Sequence, residues 1–318
     1  MKRALLLATV TIFSCGALLL FGGEKINLFE LIDPTSPSHR ILFELRGPRL
    51  LLVFFVGGSL AVLGSGFQTV FNNPLADPYL LGISSSVALG SALGEVFFKA
   101  APHSPAGIFL ALIGGLSSIF ILSAFLRTQV GKTQERIVLF GTGMNFVCSS
   151  TLFLILSYYH QQLGGGAMRY LFGQVPWLTF SEVVSTIALG TLFLIPLLGL
   201  AKKLDILTLG DSVARTLAVN PYQTRSLFLI LSSLYMTVLV TATGSIGFVG
   251  LVIPHTTRLI FNPRSSRSAF LYSLILGGVF LGISDCVSRT LLPPFEFPIG
   301  VVSTLLGGPI FLYLLWKR

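Results

Sequence analysis

The sequence predicts an all-α, polytopic integral membrane protein of about ten transmembrane helices, on three observations. First, 53% of its 318 residues are hydrophobic and only 10% are charged, against about 25% charged in ordinary soluble domains. A soluble core of this size could not hide that much apolar surface. Second, ten apolar runs follow one another, at 4–22, 50–71, 84–101, 106–126, 136–158, 181–201, 225–243, 246–261, 269–289 and 298–316. Crossing a bilayer takes about 20 such residues. Third, lysine and arginine are shared unevenly between alternate connections, as orientation in a membrane demands.

Taken in order, the run 4–22 follows two cations and resembles a secretory signal, with Ser14-Cys15 resembling a lipoprotein site. Phe13 is too bulky for a cleavage point and the apolar stretch continues past Cys15, so this run reads as an uncleaved first helix. The connection 22–48 is the longest candidate for the outer side. Run 50–71 then meets NNPLADPYLLGISSS at 72–86, an awkward break between apolar runs. Pro74 and Pro78 stop a helix and force a turn. Asn72, Asn73 and Asp77 can satisfy the freed backbone groups. Gly82 lets the chain re-enter closely, and Ser84 can cap the next helix. Unpaired backbone is not tolerated in lipid, so the break is expected to fold back against the bundle as a structural turn.

Glycines lie inside the runs, as in Gly57-Gly58, Gly64, Gly141, Gly143 and Gly277-Gly278, where small residues allow close helix approach. The run 246–261 is short, ends in a basic tail and could be re-entrant.

Placing the N-terminus in the cytoplasm puts fourteen cations inside and seven outside. The outer set is Lys25, Arg40, Arg46, Arg49, Lys99, Arg169 and Arg289; Lys132, Lys317 and Arg318 are among those inside. The net charge of +9 thus records topology, and a nucleic-acid partner loses its support. Ionisable residues are nearly missing from the apolar runs, with Glu95 and Asp285 near run ends. Ion-coupled carriers and intramembrane hydrolases usually place acids, histidines or a nucleophile at membrane depth. Cys15, Cys148 and Cys286 lie in apolar runs without ligand spacing and read as small hydrophobes. His255, beside Pro254, is a poor metal-ligand set and is expected to bond backbone at a helix end. His160, beside Tyr158 and Tyr159, reads as an isolated solvated side chain.

The connection 202–225 contains an amphipathic piece, with Val213, Ala214, Leu217 and Ala218 apolar and Asp211, Arg215 and Thr216 polar. Asp211 and Arg215 are spaced for an i,i+4 pair. Gly210 and Asp211 can open the helix and Asn220-Pro221 can close it. Such a helix could dock into a groove on a soluble partner, or lie flat at the interface.

Several ordered motifs together resemble the FecCD permeases, the membrane subunits of ATP-binding-cassette importers for iron-siderophores, haem and vitamin B12. They are LRGPRLL (45–51), GGSLAVLGSGFQTVFNNPLADPYLLGISSS (57–86), LFGTGMN (139–145), MRYLFGQVPWLTFSEV (168–183), LGDSVARTLAVN (209–220), GSIGFVGLVIPHTTRLIF (244–261) and SDCVSRTLLPPFEFPIGVVSTLLGGPIF (284–311). The resemblance implies the B12-importer-type permease fold as one transmembrane domain over 1–318, in a bacterial cytoplasmic (inner) membrane with both termini cytoplasmic. It implies a permease dimer (homo- or hetero-), two cytosolic ATPase subunits and an external substrate-binding protein. ATP would be bound by the partner subunits and no cofactor by this chain, which has no G-x-x-x-x-G-K-[ST] loop and is not expected to be an enzyme.

Residue by residue, the resemblance assigns ATPase coupling to Gly210, Asp211, Ala214, Arg215, Leu217 and Asn220. Ala218 departs from it, because a glycine is usual there. Docking of the binding protein falls to Arg46, Arg49 and Arg289, whose guanidiniums suit carboxylate pairing, while Arg289 could instead pair i,i+4 with Asp285. The pathway wall or gate falls to Gly141, Thr142, Gly143, Met144 and Asn145, with close helix packing the simpler role for Gly141 and Gly143. The expected function is half of the pathway for an iron chelate, siderophore or haem. The alternatives are a vitamin B12 permease and an ion-coupled secondary transporter.

Overall fold

The computed structural model describes residues 2–21, 27–33, 35–101, 104–127, 134–159, 167–293 and 295–316. Lys25, Lys132, His160, Lys317 and Arg318, used above, lie outside them. In chain order the helices are α1 (Lys2–Leu20), α2 (Pro37–Arg40), α3 (Gly47–Val70), α4 (Ile83–Phe98), α5 (Pro105–Arg127), α6 (Gln134–Tyr158), α7 (Ala167–Phe172), α8 (Phe180–Gly199), α9 (Ala201–Leu207), α10 (Asp211–Thr216), α11 (Pro221–Thr243), α12 (Val249–Phe261), α13 (Ser266–Thr290) and α14 (Ile299–Trp316). The ten of them with 13 residues or more take up the ten apolar runs one for one. Among the described residues, six stretches are long and apolar enough to cross a membrane, at Pro37–Val70, Pro105–Phe125, Arg136–Tyr158, Phe180–Gly199, Pro221–Thr243 and Ser266–Thr290. Among the described residues, Leu292 and Phe295 form one isolated bridge and there is no strand.

Helix α3 is the axis of the bundle. It is apolar on most sides because most of it is packed, with Leu52, Val53, Val56 and Phe67 fully buried. Glycine sets how closely its neighbours come. A Cβ on Gly57 of α3 would lie 2.4 Å from the carbonyl oxygen of Gly277 on α13, and one on Gly64 would lie 1.9 Å from that of Gly250 on α12. These are backbone-to-backbone contacts that only glycine permits. Helices α6 and α8 lie outside, with Phe146, Val147, Leu154, Leu192 and Ile195 exposed.

Helix α12 corrects one boundary. The chain is unwound over 244–248 before α12 begins at Val249. Thirteen residues reach about 20 Å, short of the roughly 30 Å hydrocarbon thickness. Bonds among neighbouring segments tie the chain around this stretch. Gln174 N donates to Thr243 O at 2.8 Å, Ile299 N to Gly173 O at 3.1 Å, and Ser303 Oγ to Gly247 O at 3.2 Å. Within α12, Pro254 has no N–H to give to Gly250 O four residues back. Gln68 Nε2 stands in, 3.4 Å from that oxygen and 3.2 Å from Leu251 O.

Candidate functional site

At one end of the bundle α9, α10 and the start of α11 form a folded connection. Ala214 and Val219 turn inward, while Leu209, Val213 and Leu217 stand exposed on a short apolar patch. The helix is closed by a Schellman arrangement, with Val219 N donating to Ala214 O at 2.9 Å and Ala218 N to Arg215 O at 3.1 Å. This arrangement needs a left-handed residue, and Ala218 supplies it at φ 57°. Gly210 enters the helix at φ 101°. Asn220 caps the following helix α11, its side chain accepting from Gln223 N at 3.2 Å, with Pro221 at the first position.

The expected Asp211–Arg215 pair is replaced. Asp211 is gripped by Arg225 on α11, with Nη1 donating to Oδ2 at 2.9 Å and Nη2 to Oδ1 at 2.8 Å. Hydrogen bonding from Arg225 holds the Asp211 carboxyl below the usual carboxylate range, and the charges of Arg225 and Arg215 add to this. The Nε of Arg225 reaches the carbonyl of Val70, the last residue of α3, at 3.4 Å. A cleft of about 550 Å³ opens here, lined by Thr69, Phe71, Asn72, Arg215, Tyr222 and Arg225.

The segment 71–82 leaves that cleft and dives into the bundle. Asn73 Oδ1 accepts from Leu75 N and Asp77 Oδ1 from Tyr79 N, at 2.9 and 2.7 Å, so each turn is closed by its own side chain. Asp77 is buried, and a Cβ on Gly250 would lie 3.1 Å from its Oδ2, beside the first turn of α12. Gly82 is left-handed at φ 79° and opens α4. Ser84 does not cap that helix; its hydroxyl pairs with Ser245 Oγ at 2.8 Å, because Gly82 already makes the turn. The structure brings this turn onto the expected pathway residues. A Cβ on Gly82 would lie 3.1 Å from Asn145 N and 3.2 Å from Met144 Cε. Gly141 is packed so closely on Leu81 that a Cβ would fall 2.8 Å from its Cα, whereas Gly143 has open space beside it. Thr142 is half-buried, its hydroxyl bonded to Leu139 O at 2.9 Å.

At the opposite end the three expected docking arginines are not free. Arg46 is buried, and its Nη1 donates to Leu19 O and Leu20 O at 3.1 and 3.0 Å, closing the end of α1. Arg49 is buried too. It donates to Asp285 Oδ1 from Nε and Nη2 at 3.0 and 2.9 Å, and to Glu296 Oε2 at 3.0 Å. Its guanidinium lies 4.2 Å from the ring centre of Trp177. Arg289 forms the i,i+4 pair with Asp285, at 2.9 Å. Arg46 and Arg49 are held within the chain, as a buried charge must find partners.

Sequence reasoning missed Arg225, Gln68, Trp177 and Glu296. Their partners lie far along the chain or on other helices, so no local spacing reports them. A glutamine inside an otherwise apolar run is the signal that points to Gln68.

The model of the FecCD transport family matches residues 6–317. The chain is 33% identical to the Fe(3+) dicitrate transport system permease protein FecD of Escherichia coli (strain K12), covering 99% of both chains. It is 37% identical to the hemin transport system permease protein HmuU of Yersinia pestis, over 87% of this chain and 84% of that one. Among solved structures it is similar to a metal-chelate type ABC transporter in an inward-facing conformation, with a TM-score of 0.86 and 25% identity over 100% of this chain and 99% of that one.

Proposed function

This chain belongs to the FecCD transport family as the permease of an ATP-binding-cassette importer, and we propose that its cargo is an iron chelate, a siderophore or haem. The dicitrate and hemin relatives are both named for iron held by an organic ligand. In this reading the chain pairs with a second permease subunit, with two ATPase subunits at the α10 end and with a substrate-binding protein at the Arg49–Asp285 end. That orientation puts both termini in the cytoplasm and the membrane is the bacterial inner one.

The observation that carries the ATPase contact is the exposure of Leu209, Val213 and Leu217 on and beside a helix closed at its end and clamped by Arg225. An anchored, half-apolar helix suits a groove on a soluble partner. Gly141, Thr142, Gly143, Met144 and Asn145 would form part of the pathway wall, with Gly141 given over to packing on Leu81. Docking of a binding protein on Arg289 would exchange Asp285 for a carboxylate of the partner. The test is uptake by proteoliposomes holding the permease with its own ATPase and binding protein, offered ferric siderophore, hemin and cobalamin in competition. Uptake of an iron chelate is expected to dominate, and preference for cobalamin would overturn the cargo assignment.

A further inference from the structure

Arg225 joins three parts of the α10 end. It holds the Asp211 carboxylate with two hydrogen bonds of 2.9 and 2.8 Å. It reaches Val70 O at the end of α3, a carbonyl in the last turn of a helix, which has no partner of its own within that helix. It also belongs to α11, whose first turn is fixed by Asn220 and Pro221. The pair is 31% and 49% exposed at the side chains, so as a stabilising ion pair it contributes little. A fork of this geometry does fix orientation, because a planar guanidinium holding both carboxylate oxygens resists rotation.

Directly beyond Val70 the segment 71–82 begins. It is stiffened by the Asn73 and Asp77 side-chain turns and ends with Leu81 and Gly82 seated on Gly141, Met144 and Asn145 of α6. Gly141 leaves no free space at that seat, so a shift of Leu81 must move α6 or break the contact.

We infer that Arg225 is a positioning residue for ATP coupling: through Asp211 and the Val70 carbonyl it passes displacement of α10 to the 71–82 segment, which pushes on α6 at Gly141. This rests on the reading that α10 meets the ATPase. Loss of the fork then leaves α10 able to move without moving α6, and ATP is hydrolysed without transport.

The test uses the full importer complex in proteoliposomes and reads chelate imported per ATP hydrolysed, a ratio that simple loss of protein does not change. Arg225→Gln and Asp211→Asn are each expected to lower the ratio roughly ten-fold, within the range of ordinary coupling energies. The double variant is expected to fall no further than either single one, since both remove the same contact. Arg225→Lys keeps the charge but not the fork and should remain low. Asp211 is an exposed acid, so Asp211→Asn keeps the test open should the Arg225 variants fail to fold. An unchanged ratio, a proportional fall of hydrolysis and uptake together, or losses that multiply in the double variant would overturn the inference while wild-type import stood. Failure of the wild-type complex to import on ATP would instead remove the underlying reading, and this inference with it.

Discussion

Ala218 shows how one residue can depart from a pattern and still keep the geometry the pattern serves. The Schellman closure of α10 needs a left-handed residue, and alanine holds φ 57° there. An L-residue pays about 1 kcal/mol for that conformation, which glycine avoids at some entropic cost. Ala218→Gly is therefore expected to stabilise the solubilised protein by about 0.5 kcal/mol, seen as a small rise in thermal midpoint; a fall would show that the site is not strained. Asp211 makes a pH prediction. Its carboxyl is depressed below its ordinary value by Arg225, so its contribution is full above the unfolded value of about 3.9 and is lost as pH falls through the lower folded value. Thermal stability scanned downward from pH 5 should lose this step in Asp211→Asn, and an identical acid limb in both proteins would contradict it. The sequence marks Asp211 and Ala218 as special, but it misassigns the partner of Asp211. Local spacing favours Arg215, and only the fold brings up Arg225, 14 residues away.

For the elements, hydropathy was enough to place ten helices but not to find where they break. Helix α12 starts three residues later than the apolar run, because Ile246, Gly247 and Phe248 are apolar or small yet belong to unwound chain, where Ser303 Oγ holds the Gly247 carbonyl. The turn at 72–86 was readable from Pro74, Pro78 and Gly82, since proline and glycine punctuate backbone directly; its seat on α6 was not, because the turn and α6 lie some sixty residues apart in sequence. The two glycines of α6 give a paired test. Gly141→Ala forces Leu81 to move and should cost about 1–3 kcal/mol. Gly143→Ala meets nothing and should gain up to about 1 kcal/mol from helix propensity. Denaturation of the two variants side by side checks this, and equal effects would contradict the packing. At the opposite end, Asp285→Ala would strip the shared carboxylate from Arg49 and Arg289. Removing one partner of a buried pair costs about 3–5 kcal/mol, so its folded yield in detergent should drop sharply. A yield equal to wild type would mean that the network carries no stability.

At the scale of the molecule, composition and charge placement separate a membrane bundle from a soluble one, and ordered motifs separate this family from other bundles. What they do not separate is an arginine that faces a partner from one that holds the chain together, because both sit at the end of an apolar run. Arg46 and Arg49 hold the chain together. ATP acting through α10, and not an ion gradient, is the proposed drive of the bundle. Its most direct test is chelate uptake into proteoliposomes containing the permease with and without its ATPase, under ATP or under an imposed ion gradient. Uptake that needs both the ATPase and ATP, and is indifferent to the gradient, is the predicted result. Uptake driven by the gradient with no ATPase present would contradict it.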